Sequence, residues 1–349
     1  MKSVKNVILF LLAAVFFVCG AIFLPETAGI LLIIAGILML PFQSLQKKAR
    51  KKVTAKQRYR IILAAVLALV SLFTTPAAQQ IISPTTVPDG SSFSIQFIDV
   101  GQADSALVQC DGQYMLIDGG NREDSNLIYS VLERNKISNL DIVVGTHAHE
   151  DHIGGLPGAF QYASADLTLS PVTDYDSATF ETFTKYAKEK GGGLVVPAVG
   201  DTYSLGSAQV VILGVNSTDD TNDTSIVLKI QYGQTSFLFT GDAERTAEQV
   251  ILDSGADLSA TVLKVGHHGS DTSSCYQFLR EVDAQYAVIS CGIDNSYGHP
   301  HDEVLSRLKD ADVQLFRTDL QGDIFCTSDG ESVSFSVSRN ADADTFDPN

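Results

Sequence analysis

The apolar residues of this 349-residue chain follow two different patterns. Up to about residue 78 they form long uncharged runs: Val7–Leu24, Ala28–Phe42, and a third that starts with Ile61–Phe73 and continues through TTPAA. The first run approaches the roughly 17–25 residues that a membrane helix needs, and the other two approach it when extended. A cleaved signal peptide is the alternative for the first run, but no clear small-residue cleavage site follows it. We predict a membrane anchor of about three transmembrane helices over residues 1–78.

After residue 92 the apolar residues fall into short runs separated by turn residues. Strands are predicted for SIQFIDV, SALVQC, QYMLIDGG and DIVVGTH, and a hairpin for SIVLKIQYG and TSFLFTGD, joined at Gly233–Gln234. Helices are predicted for Glu123–Asn135, TFETFTKYAKEK, ERTAEQVILDSG and HDEVLSRLKDA. This alternation favours an α/β fold of layered sheets flanked by helices. Residues 79–92 are predicted to form a linker, and the acidic segment 339–349 a disordered tail.

Charge divides the chain near the same place as hydrophobicity. Residues 1–80 hold ten of the 24 Lys and Arg residues and one of the 41 acidic residues, which leaves 14 basic and 40 acidic residues, a net charge of −26, for the remainder. Lys2 and Lys5 precede the first apolar run, and eight basic residues separate the second from the third. Since basic loops stay in the cytoplasm, three spans place the remainder outside the cell, whereas two would leave it inside. We predict a multi-pass protein of the cell membrane with an extracellular acidic domain.

The seven histidines are confined to three segments, THAHEDHIGG at 146–155, VGHHGS at 265–270 and YGHPH at 297–301. His147 and His149 would not share a face of a helix, but a loop that leaves a strand lets them converge with Asp151 and His152. Imidazole and carboxylate are ligands that zinc binds at about 2.0–2.2 Å. Four donors in six residues exceed what one tetrahedral ion takes from one segment, so we predict two divalent ions. A solvated polar loop is the alternative.

The order of these motifs resembles the metallo-β-lactamase superfamily of hydrolases. That superfamily places H-x-H-x-D-H-x-G-G after an apolar strand, as at residues 147–155, and a metal-bridging carboxylate after a later strand, as in LFTGD at 238–242. FIDVGQADSALVQ, LIDGG, KVGHHGS and YGHPH resemble the extracellular hydrolase domain of ComEC-type DNA-uptake proteins. The resemblance covers about Ser94 to Val337. It implies a metallo-β-lactamase-like four-layer αββα sandwich, which we assign to residues 93–338.

The resemblance also implies a set of metal ligands, with Asp242 as the bridging acid: His147, His149, Asp151, His152, Asp242 and His267, for which His268 is the alternative. The superfamily often has a further histidine before the bridging acid, but residues 153–266 contain none. In its place stands TNDTSIVLK, where oxygen from Asn222, Asp223 or a water would fill the gap. Oxygen donors admit manganese as well as zinc, so zinc is our first prediction and manganese the second.

Five polar residues outside the metal motifs are further candidates. Asp104 and Asp118 either orient ligand histidines from an outer shell or only form turns. Lys264 either contacts an anionic substrate or has no role beyond its strand. His299 is a candidate for protonating a leaving oxygen or stabilising its charge. His301 is predicted to begin the next helix.

A phosphodiesterase or nuclease is the function that these motifs favour. Two-metal sites polarise phosphodiesters and activate water, and Asp242 and Asp151 would orient that water. The net charge of −26 opposes polyanions, because phosphate contacts normally come from Lys and Arg. DNA is therefore one candidate substrate beside other wall or nucleotide phosphodiesters. A β-lactamase-type or other ester hydrolase, and a non-catalytic metal-bound module that assists DNA uptake, are the alternatives; the sequence identifies no protein partner.

Overall fold

Two β-sheets lie at the centre of the structure, a computed structural model that describes residues 93–216 and 218–347. Within these ranges the first sheet has eight strands in the order β15-β14-β1-β2-β3-β4-β5-β6. Strands β3 to β6 are parallel and the others antiparallel. Their bounds are Phe93–Phe97 (β1), Ala106–Cys110 (β2), Gln113–Ile117 (β3), Asn139–Val144 (β4), Ser164–Leu169 (β5), Leu194–Val195 (β6), Ile324–Ser328 (β14) and Val333–Val337 (β15).

The second sheet has seven described strands in the order β13-β12-β11-β10-β9-β8-β7, of which β10 to β13 are parallel. Their bounds are Thr202–Leu205 (β7), Ala208–Gly214 (β8), Val227–Tyr232 (β9), Thr235–Phe239 (β10), Val262–Lys264 (β11), Tyr286–Ile289 (β12) and Gln314–Arg317 (β13). The hairpin predicted at Gly233–Gln234 is confirmed, because β9 and β10 pair antiparallel around it. Gly233 has φ +57°, a left-handed conformation that glycine adopts without a side-chain clash.

The described helices cover the outer faces of the two sheets. Their bounds are Ser125–Arg134 (α1), Glu150–Ile153 (α2), Leu156–Tyr162 (α3), Ala178–Lys190 (α4), Arg245–Ser254 (α5), Tyr276–Val282 (α6), Asp302–Asp310 (α7) and Thr318–Gln321 (α8). The four longer segments predicted as helices correspond to α1, α4, α5 and α7. Short 3-10 turns at Arg122–Asp124, Asn222–Thr224 and Gly266–Gly269 complete the described elements.

Three apolar clusters separate four layers. Alternating residues of β1 (Phe93, Ile95, Phe97) point into the first cluster, between the sheets, where Phe93 stacks on Phe237 at 4.7 Å between ring centroids. The second cluster packs α1, α3 and α4 against the first sheet, and the third packs α5, α6 and α7 against the second. Burial on both faces is complete in β1 and β10, in which all five residues are buried. The predicted αββα sandwich is confirmed.

The end of the chain departs from the predicted disorder. Residues 339–347 turn back onto the domain, where the fully buried guanidinium of Arg317 donates to the carbonyls of Thr345 (3.3 Å) and Asp347 (2.7 Å). Phe346 packs against the third apolar cluster. Over the described residues these contacts favour order where the acidic composition predicted disorder, since composition alone does not reveal a buried cation that needs carbonyl acceptors.

The predicted anchor, residues 1–78, and the predicted linker, residues 79–92, lie outside the described residues. Within 93–216 and 218–347, no helix is both long and apolar enough to cross a membrane.

Candidate metal centre

The polar side chains singled out from the sequence meet at one edge of the sandwich, where parallel strands of both sheets end. Asp118 follows β3, the histidine loop follows β4, Asp242 follows β10, the histidine pair follows β11, and His299 follows β12. Carboxyl ends of parallel strands are where open α/β sheets bind ligands, because the loops there are free to vary. The fold thus brings together residues from 118 to 299.

The histidine loop is shaped by close backbone packing. The loop leaves β4 as an irregular turn and continues into the short helix α2, so His147 and His149 precede the helix while Asp151 and His152 lie within it. A Cβ atom on Gly155 would overlap the carbonyl oxygen of Gly119 in the neighbouring loop. The backbone N–H of Gly119 also donates to the carbonyl of His152 at 2.7 Å. These contacts explain why both loops end in paired glycines.

Four side chains offer donor atoms within 4.8 Å of one another: Asp151, His152, Asp242 and His268. His268 Nε2 lies 3.3 Å from Asp151 Oδ2 and 3.7 Å from Asp242 Oδ2, and His152 Nε2 lies 3.2 Å from Asp242 Oδ1. Donors bound at 2.0–2.2 Å around a tetrahedral ion lie about 3.3–3.6 Å apart. The spacing of this group therefore suits one such ion.

A second set of donors shares Asp242. His147 Nε2 lies 3.0 Å from His149 Nδ1 and 3.8 Å from Asp242 Oδ2, and His267 Nε2 lies 3.6 Å from the same oxygen. Asp242 thus faces His152 with one oxygen and three other histidines with the second. This position between two imidazole sets suits a carboxylate that bridges two cations.

Among the described residues, three buried polar atoms at this point are poorly satisfied. His152 Nε2 and Asp242 Oδ1 face only each other, at 3.2 Å, and Asn222 Oδ1 has no hydrogen-bond partner. A buried polar atom left without a partner costs about 1–3 kcal/mol, so native proteins rarely retain one without a ligand, ion or water in its place. The imidazole and carboxylate donors fit divalent cations such as zinc or manganese.

The pKa shifts of these side chains also indicate a site for a cation. Burial would raise the pKa values of Asp242 and Asp151, but His152 outweighs burial, and the pKa of Asp242 falls well below its usual range while that of Asp151 falls to about 2. Burial would lower the pKa of His268, but Asp242 and Asp104 raise it to about 10. Despite burial, the carboxylates thus raise the pKa values of His152 and His268 and hold protons on them, whereas burial lowers the pKa of His147 well below its usual range. A divalent cation bound here would take the place of the positive charge on the protonated imidazoles and release their protons.

Outer residues fix the direction of two ring nitrogens. Asp118 Oδ2 lies 2.9 Å from His152 Nδ1 and also accepts from the hydroxyl of Thr146 at 2.7 Å. His268 Nδ1 lies 3.0 Å from the carbonyl of Ser290 and 3.3 Å from Asp104 Oδ1. Since each Nδ1 faces an acceptor, each Nε2 is left to face Asp242. These contacts are those expected of outer-shell partners for metal-bound histidines.

His267 and His268 are adjacent in sequence but contact different residues. We predicted His267 as the ligand with His268 as the alternative, and the geometry favours His268, the more deeply buried ring and a member of the four-donor group. His267 Nδ1 instead lies 3.2 Å from Glu244 Oε1, and its Nε2 approaches Asp242 from the cleft side. Both residues have positive φ, +49° and +53°, and this pair of turns sends the two rings in different directions.

Lys264 is not available to a substrate. Its side chain is 5% exposed, and Nζ lies 2.8 Å from Asp104 Oδ2 and donates to the carbonyl of Val265 at 3.0 Å. Of the two alternatives left open for Lys264, the geometry favours the structural one over a substrate contact, because the strand directs this lysine inward beneath the site. There it holds Asp104, which in turn contacts His268.

We predict that Lys264→Met destabilises the protein by about 3–5 kcal/mol, because it leaves the buried carboxylate of Asp104 without its cation. Lys229→Met is the matched control: Lys229 is also a buried strand lysine, but its partner Asp257 is 76% exposed, so the loss should be about 0–1 kcal/mol. Denaturant unfolding of the full-length variants measures both. Equal effects, or weaker substrate binding at unchanged stability in Lys264→Met, would contradict this assignment.

Asn222 and Asp223 belong to the segment TNDTSIVLK, which stands where the superfamily often has a histidine, and they make different contacts. Asn222 donates from Nδ2 to Glu244 Oε1 at 3.1 Å, and its buried Oδ1, beside the cleft, has no hydrogen-bond partner among the residues that the structure describes. Asp223 Oδ1 accepts instead from the backbone of Glu244 (2.9 Å) and Ala247 (3.4 Å) at the start of α5. Of the two residues predicted to fill the gap, Asn222 has the suitable geometry, and Asp223 stabilises the helix.

Sequence reasoning missed three residues that shape the site. Ser225 Oγ accepts from the backbone N–H of Asp242 at 3.0 Å, and Glu244 contacts both Asn222 and His267. Gln102 lies beside His299. The sequence contains only weak signals for them: Ser225 lies in the segment TNDTSIVLK, and Glu244 stands two residues after Asp242. Gln102 is 197 positions from its partner His299.

A cleft of about 390 Å³ opens above the donor groups. It is lined by Gln102, His149, Glu150, Asp151, Asn222, Asp242, His267, His268, Tyr297 and His299. Tyr297 is 67% exposed at its edge. No lysine or arginine is among these described lining residues. Two nearby arginines have other partners: Arg122 pairs with Glu150 at the cleft, and Arg245 donates to the carbonyl of Asp271.

His299 lines the cleft, at 5.6 Å from His267 and 6.3 Å from His268 between ring centroids. Burial lowers its pKa to about 4, and the two neighbouring histidines act in the same direction. The ring is therefore neutral near pH 7, which favours charge stabilisation over proton donation. His301, by contrast, is the residue that precedes α7, as expected.

A two-sheet sandwich with a histidine–aspartate cluster at one edge defines a class of metal-dependent hydrolase folds. The sequence model of the Metallo-beta-lactamase superfamily matches residues 98–293. The chain belongs to that superfamily.

Two curated relatives support the resemblance to competence proteins. ComE operon protein 3 of Bacillus subtilis is 30% identical over 267 residues, covering 71% of this chain and 34% of the relative. Competence protein ComA of Neisseria gonorrhoeae is 29% identical over 241 residues, covering 68% and 33%. This chain thus spans about a third of the length of these relatives. A solved structure, the metallo-beta-lactamase fold protein YhfI of Bacillus subtilis, is 16% identical with a TM-score of 0.42, covering 64% of this chain and 95% of that one.

Proposed function

We propose that this protein is a metal-dependent phosphodiesterase or nuclease. The observation that carries the proposal is the position of Asp242 between two imidazole sets, with one oxygen 3.2 Å from His152 Nε2 and the other 3.8 Å from His147 Nε2. His147, His149, Asp242 and Asn222 would hold one ion, and Asp151, His152, Asp242 and His268 the other. Such ions supply Lewis-acid polarisation of a phosphoryl group and activation of water.

The protein's own residues would orient the reactants. Asp242 and Asp151 present carboxylate oxygens to the cleft and would accept a hydrogen bond from the attacking water. His299, which also lines the cleft, would donate to the leaving oxygen as charge develops on it. Because no Lys or Arg is among the described lining residues, the positive charge that balances a diester would come from the divalent ions.

The competence names of the relatives support DNA or a nucleotide diester as the substrate class. The net charge of −26 after residue 80 and the lining of the cleft weigh against extensive contacts with a long polyanion. We therefore favour a short or single-stranded diester that places one phosphate in the cleft.

Hydrolysis of bis-p-nitrophenyl phosphate by the full-length protein tests the proposed function. We expect turnover that a chelator abolishes and zinc or manganese restores. The β-lactam nitrocefin and p-nitrophenyl acetate serve as controls for the lactamase and esterase alternatives. Turnover of either control in preference to the diester would replace the proposal, and metal binding with no turnover on any of the three would favour a binding module.

We also propose that residues 1–78 anchor the protein in the cell membrane and residues 79–92 link the anchor to an extracellular domain. The support is the pattern of apolar runs and the basic segment between Lys47 and Arg60. We predict that protease added to intact cells with a permeable wall releases the domain. Full protection, with cleavage only after lysis, would place the domain inside the cell and indicate two spans.

A further inference from the structure

The side chain of Gln102 joins the two halves of the sandwich at the cleft. It belongs to the loop between β1 and β2, and it reaches the loop after β12. Its Oε1 accepts from the backbone N–H of Gly292 at 3.0 Å, and its Nε2 lies 3.1 Å from His299 Nδ1. Both ends of one amide are therefore used on the same loop.

These two contacts determine each other's direction. A backbone N–H only donates, so the atom of Gln102 that faces Gly292 must be the carbonyl oxygen. The amide nitrogen, which only donates, then faces His299, and His299 Nδ1 must accept. In a neutral imidazole with an accepting Nδ1, the proton is on Nε2.

The backbone of His299 is held separately from its ring. Asn295 Oδ1 accepts from the backbone N–H groups of Tyr297 (3.2 Å) and His299 (3.0 Å), and its Nδ2 donates to the carbonyls of Gly292 (2.9 Å) and His299. Asn295 therefore fixes the shape of the loop, while Gln102 fixes the rotation and tautomer of the ring.

We propose that Gln102 is a positioning residue that fixes His299 as the Nε2–H tautomer, so that His299 offers the cleft a hydrogen-bond donor instead of a base. This inference rests on the proposed function for its catalytic meaning. The tautomer itself is a property of the resting protein and does not depend on turnover. A donor aimed at a developing oxyanion is typically worth about 10²–10³ in rate.

Long-range ¹H–¹⁵N spectra of the histidine rings in the zinc-loaded, full-length protein test the proposal directly. His299→Gln identifies the ring by the signals that it removes. We expect the wild-type ring to carry its proton on Nε2. A wild-type ring with the proton on Nδ1 overturns the proposal, and this measurement requires no variant of Gln102 to fold.

Gln102→Glu supplies the second measurement, because a carboxylate accepts where the amide donates. We expect the proton of His299 to move to Nδ1 and kcat on a thymidine dinucleotide to fall about 10²–10³-fold, with unchanged zinc content. Gln231→Glu, near the end of β9 beside the Gly233 turn, adds the same charge and should change neither. An unchanged tautomer in Gln102→Glu overturns the proposal. Absence of hydrolysis in the wild type would refute the phosphodiesterase assignment while the spectra still decide the tautomer.

Discussion

Asp242→Ala should lower metal affinity and turnover more than any other single substitution in the cleft. One carboxylate oxygen faces His152 and the other faces His147, His267 and His268 at 3.6–3.8 Å, so the substitution removes a donor from both sets. Changing an outer-shell partner typically costs about 10–100-fold in metal affinity, and removal of a shared ligand should exceed that range. We expect diester turnover to fall by about 10³-fold or more.

Metal content of the purified full-length variants, measured with titrated zinc and manganese, separates a shared ligand from an ordinary one. The wild type should bind two ions, Asp151→Ala one, and Asp242→Ala close to none at the same free metal concentration. Asp257→Ala, which removes an exposed carboxylate far from the cleft, is the matched control and should bind two. Two ions retained by Asp242→Ala would contradict the bridging role, and a wild type that binds no metal would refute the site.

The strand pattern of the domain was predictable because each strand has a local signal. The alternation Phe93, Ile95, Phe97 fills the space between the sheets, and the two-residue turn at Gly233 sets the register of the β9–β10 hairpin. The spacing of the histidine loop also carries its own geometry, since irregular backbone after β4 lets His147 and His149 approach within 3.0 Å. The local sequence therefore predicted the features that depend only on the local backbone conformation: the strands, the hairpin register and the histidine loop.

The remaining features depend on contacts between distant segments. The direction of Lys264 follows from its partner Asp104, 160 residues away, and residues 339–347 are held by Arg317. The choice between His267 and His268 depends on left-handed backbone at both positions, which is unfavourable for residues other than glycine and is not evident from the letters HHGS. Such features follow from tertiary packing, which a single sequence does not display.

His299→Ala should lower turnover without changing metal content, because His299 lines the cleft but lies outside the four-donor group. Loss of a donor to a developing oxyanion typically costs about 10²–10³ in rate. The sequence left open whether this ring protonates the leaving oxygen or stabilises its charge. The pKa of about 4 and the contact of Nδ1 with Gln102 both favour a neutral ring that stabilises charge.

Two leaving groups distinguish these roles in the same variant. p-Nitrophenolate leaves without protonation, whereas the alkoxide of a natural diester benefits strongly from a proton donor. If His299 stabilises charge, His299→Ala should lose a similar factor on bis-p-nitrophenyl phosphate and on a thymidine dinucleotide. A much smaller loss on the p-nitrophenyl ester would indicate proton donation instead, and it would require a bound substrate to raise the pKa of His299 by several units. Loss of bound metal in His299→Ala would make the residue a ligand, and both roles would then be wrong.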